Sequence, residues 1–167
     1  MKLGDIARVS RGIVTGDRKT FVMTRDEARA RGVENFVHPI IDGARDMPSA
    51  EHAVIVNTTS RLVVLLATPN DVATTPALKE YLREKLPKVS SFKPSPIVAT
   101  YVGPPRFAEN PENLVVLNSL YCVRPKRQLS AKELAELVRR LNAASARLPA
   151  NRFASRRSPS DFNALEI

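Results

Sequence analysis

The longest apolar run in this chain, Leu62 to Ala67, is only six residues of leucine, valine and alanine. That length suits a β-strand and is far short of the roughly 20 residues a membrane-spanning helix needs. Similar short runs recur at Ala53 to Val56, Ile97 to Val102, Leu114 to Leu117 and Leu120 to Val123, separated by Asn, Ser, Thr, Gly and Pro residues that favour turns. Leu3 to Ser10, Phe21 to Met23 and Phe36 to Ile41 extend the strand pattern. Helix signals interrupt it in three places. Thr24-Arg25-Asp26-Glu27 has the capping-box pattern and opens a short helix to about Arg31, with Gly32 ending it. Thr75-Pro76 starts a second, with Leu78, Tyr81, Leu82 and Leu86 on one face and Pro87 closing it. Ser130 to Glu133 opens a third, which points Leu134, Leu137, Val138 and Leu141 at the core and carries Arg139 and Arg140 in its last turn. The elements do not alternate regularly. The expected fold is α+β, one mixed, twisted β-sheet of about seven strands with about three helices in a single domain. Residues 1–128 supply mainly strands with two helices, and 129–167 a helix and an arginine-rich segment.

A length of 167 residues suits one domain burying roughly 70% of its unfolded surface. The N-terminal MKLGDIARV lacks the apolar core of a signal peptide, so a cytoplasmic location is expected. The lone Cys122 lies within an apolar run and reads as a small buried hydrophobe.

Charge is the strongest global clue, with 26 Lys and Arg against 17 Asp and Glu, a formal net charge of +9. The excess is concentrated. Lys85, Lys88, Lys93 and Arg106 lie in a stretch without an acid, and Arg139, Arg140, Arg147, Arg152, Arg156 and Arg157 lie in another. Unneutralised basic segments suit a polyanion, because displacing counterions from phosphates dominates affinity for nucleic acid. A merely basic, soluble surface is the competing reading.

Arg11 to Phe21, RGIVTGDRKTF, reads as strand, tight basic loop, strand. Gly12 and Gly16 allow a sharp bend or a close backbone approach to a ligand, and Arg18 and Lys19 place cations at the tip. A simple hairpin turn with solvated charges would look the same. The spacing is wrong for a nucleotide-phosphate loop, since Asp17 and Arg18 intervene between Gly16 and Lys19-Thr20.

Signals for catalysis are sparse. His38 and His52 lack zinc-ligand spacing and Cys122 cannot complete a metal cluster, so neither a metal nor a cofactor is expected. Asp42 with Asp46, and Asp26 with Glu27, sit among arginines, where salt bridging or capping is the simpler use. What remains is binding. Arg11, Arg18 and Lys19 in the first loop, Lys93 beside Phe92, Arg106 with Tyr101 and Phe107, and Arg152, Arg156 and Arg157 in the tail are candidates for one positive surface. Such residues position a protein on phosphates, whereas arginine to guanine or asparagine to adenine reads bases.

The order of LGDIARVSRGIVTGDRKTFVMT, HPIIDGARDM, PIVATYVGPPRFAENPENLVVLNSLYCVRP and a closing arginine-rich stretch before PSDFNALEI resembles the C-terminal target-recognition domain of adenine-specific DNA methyltransferases of bacterial restriction-modification systems, TaqI-type and related. In that family an S-adenosylmethionine site and an NPPY-type loop belong to a separate N-terminal catalytic domain. The only Asn-Pro here, Asn110-Pro111, is followed by Glu112. The resemblance therefore implies a double-stranded DNA recognition module without its own catalysis, partnered by a methyltransferase catalytic domain or subunit. It places Thr15 to Lys19, including Thr15 and Asp17, Gly43 to Asp46 with Arg45, and Tyr101 to Phe107 near DNA. Specificity subunits of multisubunit restriction enzymes begin similarly but follow each recognition domain with a long coiled-coil helix, for which the helix from Ser130 is too short. A module docking on an acidic protein partner is the reading of a different class.

Overall fold

A computed structural model describes residues 1–55, 62–100, 102–149 and 158–167. Among these are eight strands: β1 (Ala7–Arg11), β2 (Val22–Thr24), β3 (Val37–Ile41), β4 (Leu62–Leu65), β5 (Ile97–Thr100), β6 (Phe107–Glu109), β7 (Val115–Val116) and β8 (Leu120–Pro125). The α-helices are α1 (Leu3–Ile6), α2 (Arg18–Phe21), α3 (Arg25–Ala30), α4 (Pro69–Thr74), α5 (Pro76–Leu82), α6 (Ala131–Ala146) and α7 (Pro159–Asn163). The fold is α+β, as the element pattern predicts. The strands form two four-stranded sheets instead of one, in the orders β1-β8-β5-β6 and β2-β4-β3-β7. The first is antiparallel throughout, and the second contains a parallel β3–β7 pair.

Alternation along the central strands gives each sheet two buried faces. Ile97 and Ala99 of β5, with Tyr121 and Val123 of β8, pack against Leu137, Val138 and Leu141 of α6 and Phe162 of α7. Val98, Leu120 and Cys122 point the other way, toward Ile41, Met47, Ile55 and Val116. In the second sheet Val63 and Leu65 of β4 meet Ala28 of α3 and Leu78 and Leu82 of α5. Val64 and Leu66 instead join Ile40, Val115 and Leu117. Each fully buried Leu, Val or Ile contributes about 1.5–3 kcal/mol, which is why β4, β5 and β8 lack polar alternation. Cys122 is buried in this packing, and burial pushes its thiol pKa up.

Several local expectations change. The first strand begins at Ala7, because Leu3–Ile6 forms a helical turn in which Asp5 accepts from the Lys2 amide at 2.9 Å. That turn is tied to the other end of the chain, where Leu3 donates to the Leu165 carbonyl at 2.8 Å. Phe21 closes the one-turn helix α2 and does not open a strand, because Asp17 caps that turn. Helix α5 stops at Leu82, since Arg83 adopts φ +54°, and Leu86 is 66% exposed. Helix α4, a further helix beyond the three expected, starts at its own Thr68–Asp71 capping box. The Ser130 box works as expected, but α6 runs 16 residues to Ala146. Arg139 and Arg140 therefore lie mid-helix, where Arg139 pairs with Glu136 at 2.6 Å and does not meet the helix end. Of the strand expected over 53–56, the described residues 53–55 show an isolated bridge from Val54 to Glu109, and Val56 lies outside the described residues. The turn expected over 57–60 lies outside the described residues.

The two sheets meet where the chain leaves β1. Gly12 donates to the Leu120 carbonyl at 3.0 Å and Ile13 to the Val116 carbonyl at 2.8 Å, so this segment lies beside both β7 and β8. A Cβ on Gly12 would stand 2.2 Å from the Leu117 carbonyl oxygen and 2.4 Å from that of Val116. The close approach available to Gly12 is thus spent on the chain's own backbone. Gly12→Ala should lower stability by about 3 kcal/mol or more, since backbone atoms must shift to admit the methyl. Gly43→Ala, at an extended position with nothing within 4 Å, should change it by less than about 0.5 kcal/mol. Urea unfolding of the two variants against the parent checks both values.

Candidate nucleic-acid interface

The first basic loop is held by Asp17 and Thr20 within it and by Tyr81 and Lys85 from α5 and the residues after it. Gly16 takes φ +82°, and the stem of Lys88 crosses it so closely that a Cβ there would meet Lys88 Cδ at 2.8 Å. Asp17 then caps α2, accepting from the Thr20 amide at 3.3 Å and the Thr20 hydroxyl at 2.7 Å. Lys85 reaches across from beyond α5 and donates to Asp17 Oδ2 at 2.5 Å and to the Thr20 hydroxyl at 2.9 Å. Tyr81 donates its hydroxyl to the Thr20 carbonyl at 2.7 Å. The Lys85 hydrogen bond, followed by that of the Thr20 hydroxyl, lowers the Asp17 pKa to about 2. Asp17 shapes the loop as a carboxylate, while Arg18 and Lys19 on α2 remain exposed.

Around Asp42 three arginines from distant parts of the chain come together. Asp42, only 8% exposed, follows β3. Its Oδ2 accepts from Arg18 Nη2 at 2.7 Å and lies 3.8 Å from Arg45 Nη2. Its amide donates to Asp46 Oδ2 at 2.8 Å, which closes the 3-10 turn Ala44–Asp46. Arg106 donates from Nη2 to the Ala44 carbonyl at 3.0 Å, and its own amide donates to the Thr100 hydroxyl at 2.9 Å. One buried carboxylate thus orients Arg18 and Arg45, and a carbonyl of the same turn orients Arg106. Guanidiniums held this way keep donors free for a planar anion such as phosphate.

The turn between β7 and β8 connects these loops. Leu117 donates to the Ile41 carbonyl at 3.3 Å and Asn118 to that of Ile13 at 3.0 Å. The Ser119 hydroxyl donates to the Asp42 carbonyl. Asn118 and Ser119 are both exposed, although Leu117 and Leu120 on either side are buried. The apolar runs Leu114 to Leu117 and Leu120 to Val123 bracket this turn in the sequence, but its place beside the basic loops depends on partners far along the chain.

The structure therefore joins Arg18, Arg45 and Arg106, with Thr15, Asp17 and Lys19 in the same first loop. Lys85 and Lys88, known from sequence only as part of a basic segment, are added to it. Lys93 belongs to a different set of bonds. Its carbonyl accepts from Arg124 Nη2 at 2.8 Å, and Arg124 Nη1 donates to the Ser10 hydroxyl at 2.9 Å. Arg11 is exposed at the end of β1, opposite Tyr121. Tyr101, Arg152, Arg156 and Arg157 lie outside the described residues. Asp26 and Glu27 serve as expected: Asp26 lies 3.7 Å from Arg29, and Glu27 accepts from the Thr24 amide at 2.7 Å. No helix among the described residues is long and apolar enough to cross a membrane.

Residues 1–93 match the family model of the C-terminal domain of Type II methyltransferase M.Eco57I, more than half of the 167-residue chain. The matched stretch contains the Gly16 loop, the Asp42 carboxylate with Arg18 and Arg45, and both Lys85 and Lys88.

The Asp17–Lys85 pair has a defined pH signature. A depressed folded-state pKa means that its contribution to stability is fully present above pH 3.8 and is lost as pH falls through about 2. Carbon-detected NMR titration should place the Asp17 midpoint at about 2 in the parent chain, and Lys85→Met should move it up toward the ordinary carboxylate range.

Proposed function

The chain belongs to the family of Type II methyltransferase C-terminal domains represented by that of M.Eco57I, and on this premise we propose that it is the double-stranded DNA recognition module of a restriction-modification adenine methyltransferase. The observation that carries the reading is the convergence of Arg18, Arg45 and Arg106 on the Asp42–Ala44 segment. Isolated surface arginines are common, but arginines from three separate segments, two at the buried Asp42 carboxylate and the third on the Ala44 carbonyl of the same turn, form a preorganised cationic surface. The net charge of +9 adds long-range attraction toward a polyanion.

In this reading the arginines, with Lys19 and Lys88, grip phosphates and fix the register of the duplex, while uncharged polar side chains on the same loops read base edges. Extrusion of the target adenine and transfer of the methyl group from S-adenosylmethionine are the work of a partner catalytic domain. The module contributes orientation and needs no cofactor of its own. Helix α6 supports this reading over that of a multisubunit specificity protein, because its Leu137, Val138 and Leu141 face is buried against the sheet and does not extend away as a spacer.

Fluorescence anisotropy with a pool of random short duplexes tests the reading, alongside a single-stranded pool and heparin across a salt series. Duplexes should bind more tightly than single strands, with a steep dependence on salt. Arg18→Ala, Arg45→Ala and Arg106→Ala should each lower the log–log salt slope by about 0.9 for every phosphate contact removed. Charge reversal at Arg18 with Lys19 should weaken binding across all sequences. An absence of duplex binding even at low salt would overturn the proposal and direct attention to an acidic protein partner.

A further inference from the structure

The turn that links the arginine-bearing loops carries an amide that the fold itself does not use. Asn118 is exposed, and among the described residues its side chain has no hydrogen-bond partner. Its backbone, by contrast, is tightly fixed. The Asn118 amide donates to the Ile13 carbonyl at 3.0 Å, and the preceding Leu117 amide donates to the Ile41 carbonyl at 3.3 Å. Ile13 and Leu117 form a parallel bridge, and Leu117 and Leu120 are 2% and 0% exposed. The next residue, Ser119, spends its hydroxyl on the Asp42 carbonyl, which binds this turn to the residue whose carboxylate anchors Arg18 and Arg45. Two structural needs are thus met by the backbone of Asn118 and the side chain of Ser119, and neither requires an amide at position 118.

We infer that Asn118 is a base-reading residue of this domain, presenting its carboxamide to the major-groove edge of an adenine. The inference rests on the duplex-DNA reading above and gives it a specificity-determining residue. A carboxamide offers one acceptor and one donor side by side, which matches the N6 donor and N7 acceptor of adenine and of no other base edge in that groove. Specific readout needs a side chain whose backbone does not drift, and the bonds to Ile13 and Ile41 supply that. It also needs flanking phosphate contacts to set the register, and Arg18 and Arg45 meet the carboxylate of Asp42, the residue whose carbonyl Ser119 bonds. Arg18 and Arg106 already donate to protein acceptors and Arg45 lies 3.8 Å from the Asp42 carboxylate, whereas the Asn118 amide is left for a ligand.

The test is selection of bound sequences from a duplex pool with a randomised centre, using the 167-residue chain, Asn118→Ala and Asn118→Asp. Thermal unfolding and the salt needed for heparin elution are measured on the same preparations. The parent should enrich an adenine at one position. Both variants should lose that enrichment by about tenfold to a hundredfold, the worth of one bidentate pair, while other positions, heparin elution and the unfolding midpoint are retained. Asn118→Asp keeps the size of the side chain but removes the donor to N7, so its loss separates hydrogen bonding from shape. Full retention of adenine enrichment in both variants would overturn the assignment, as would even binding of all sequences by the parent. Loss of heparin retention or of folding in both variants would also overturn it, by showing that the residue serves the structure. A parent that binds no duplex would overturn the DNA reading itself, an outcome distinct from all of these.

Discussion

The architecture depends on one backbone contact, the approach of Gly12 to the carbonyls of Val116 and Leu117. At this point the chain passes from β1 in the first sheet to a position beside β7 in the second, and the β7–β8 turn makes the return crossing. With no Cβ in the way, Gly12 and Ile13 bond to carbonyls on both sides of that turn, at Leu120 and Val116. A larger residue would push the two sheets apart at the place where the basic loops emerge. The arrangement of the charged surface is therefore a consequence of how the cores are joined.

Asp42 plays the corresponding part for charge. An exposed ion pair contributes only a few tenths to about 1 kcal/mol, and Arg18 is 54% exposed, so its bond to Asp42 contributes little to stability. Its effect is on geometry. The 8% exposed carboxylate cannot follow the arginine into solvent, so Arg18 and Arg45 are restrained around a fixed point. Restraining long side chains before binding reduces the conformational entropy lost when a ligand arrives. Asp17, more exposed than Asp42, pairs with Lys85 one loop away, and that hydrogen bond is the largest cause of its lowered pKa.

The remaining structure protects this framework. The outer edge of β6 would otherwise offer unpaired backbone groups to another strand. Asn142 of α6 covers part of it, accepting from the Phe107 amide at 2.9 Å and donating to the Phe107 carbonyl at 2.9 Å. The segment at Ala53–Ile55 covers the rest, through the Glu109 amide to the Ala53 carbonyl at 2.7 Å and the Ile55 amide to the Glu109 carbonyl at 2.8 Å. Ser145 donates to the Pro105 carbonyl at 2.6 Å, so α6 also holds the base of the loop that presents Arg106.

Sequence alone determined the features that depend on neighbours a few residues apart. The capping boxes at Thr24 and Ser130, the apolar strands β4, β5 and β8, the burial of Cys122 and the α+β class all follow from local hydrogen bonding and side-chain periodicity. The basic loop and the family resemblance were legible too, because both are carried by contiguous residues. Tertiary structure decided what depends on partners far along the chain. Leu3–Ile6 became helical beside Leu165, α5 ended at the positive φ of Arg83, and the strands divided between two sheets. Arg18 and Arg106 met near Asp42, Lys93 was drawn instead to Arg124, and Asn118 was placed between the loops. Periodicity encodes which face of an element is buried, but contains no term for which distant segment will cover it, and it is those pairings that assemble the surface.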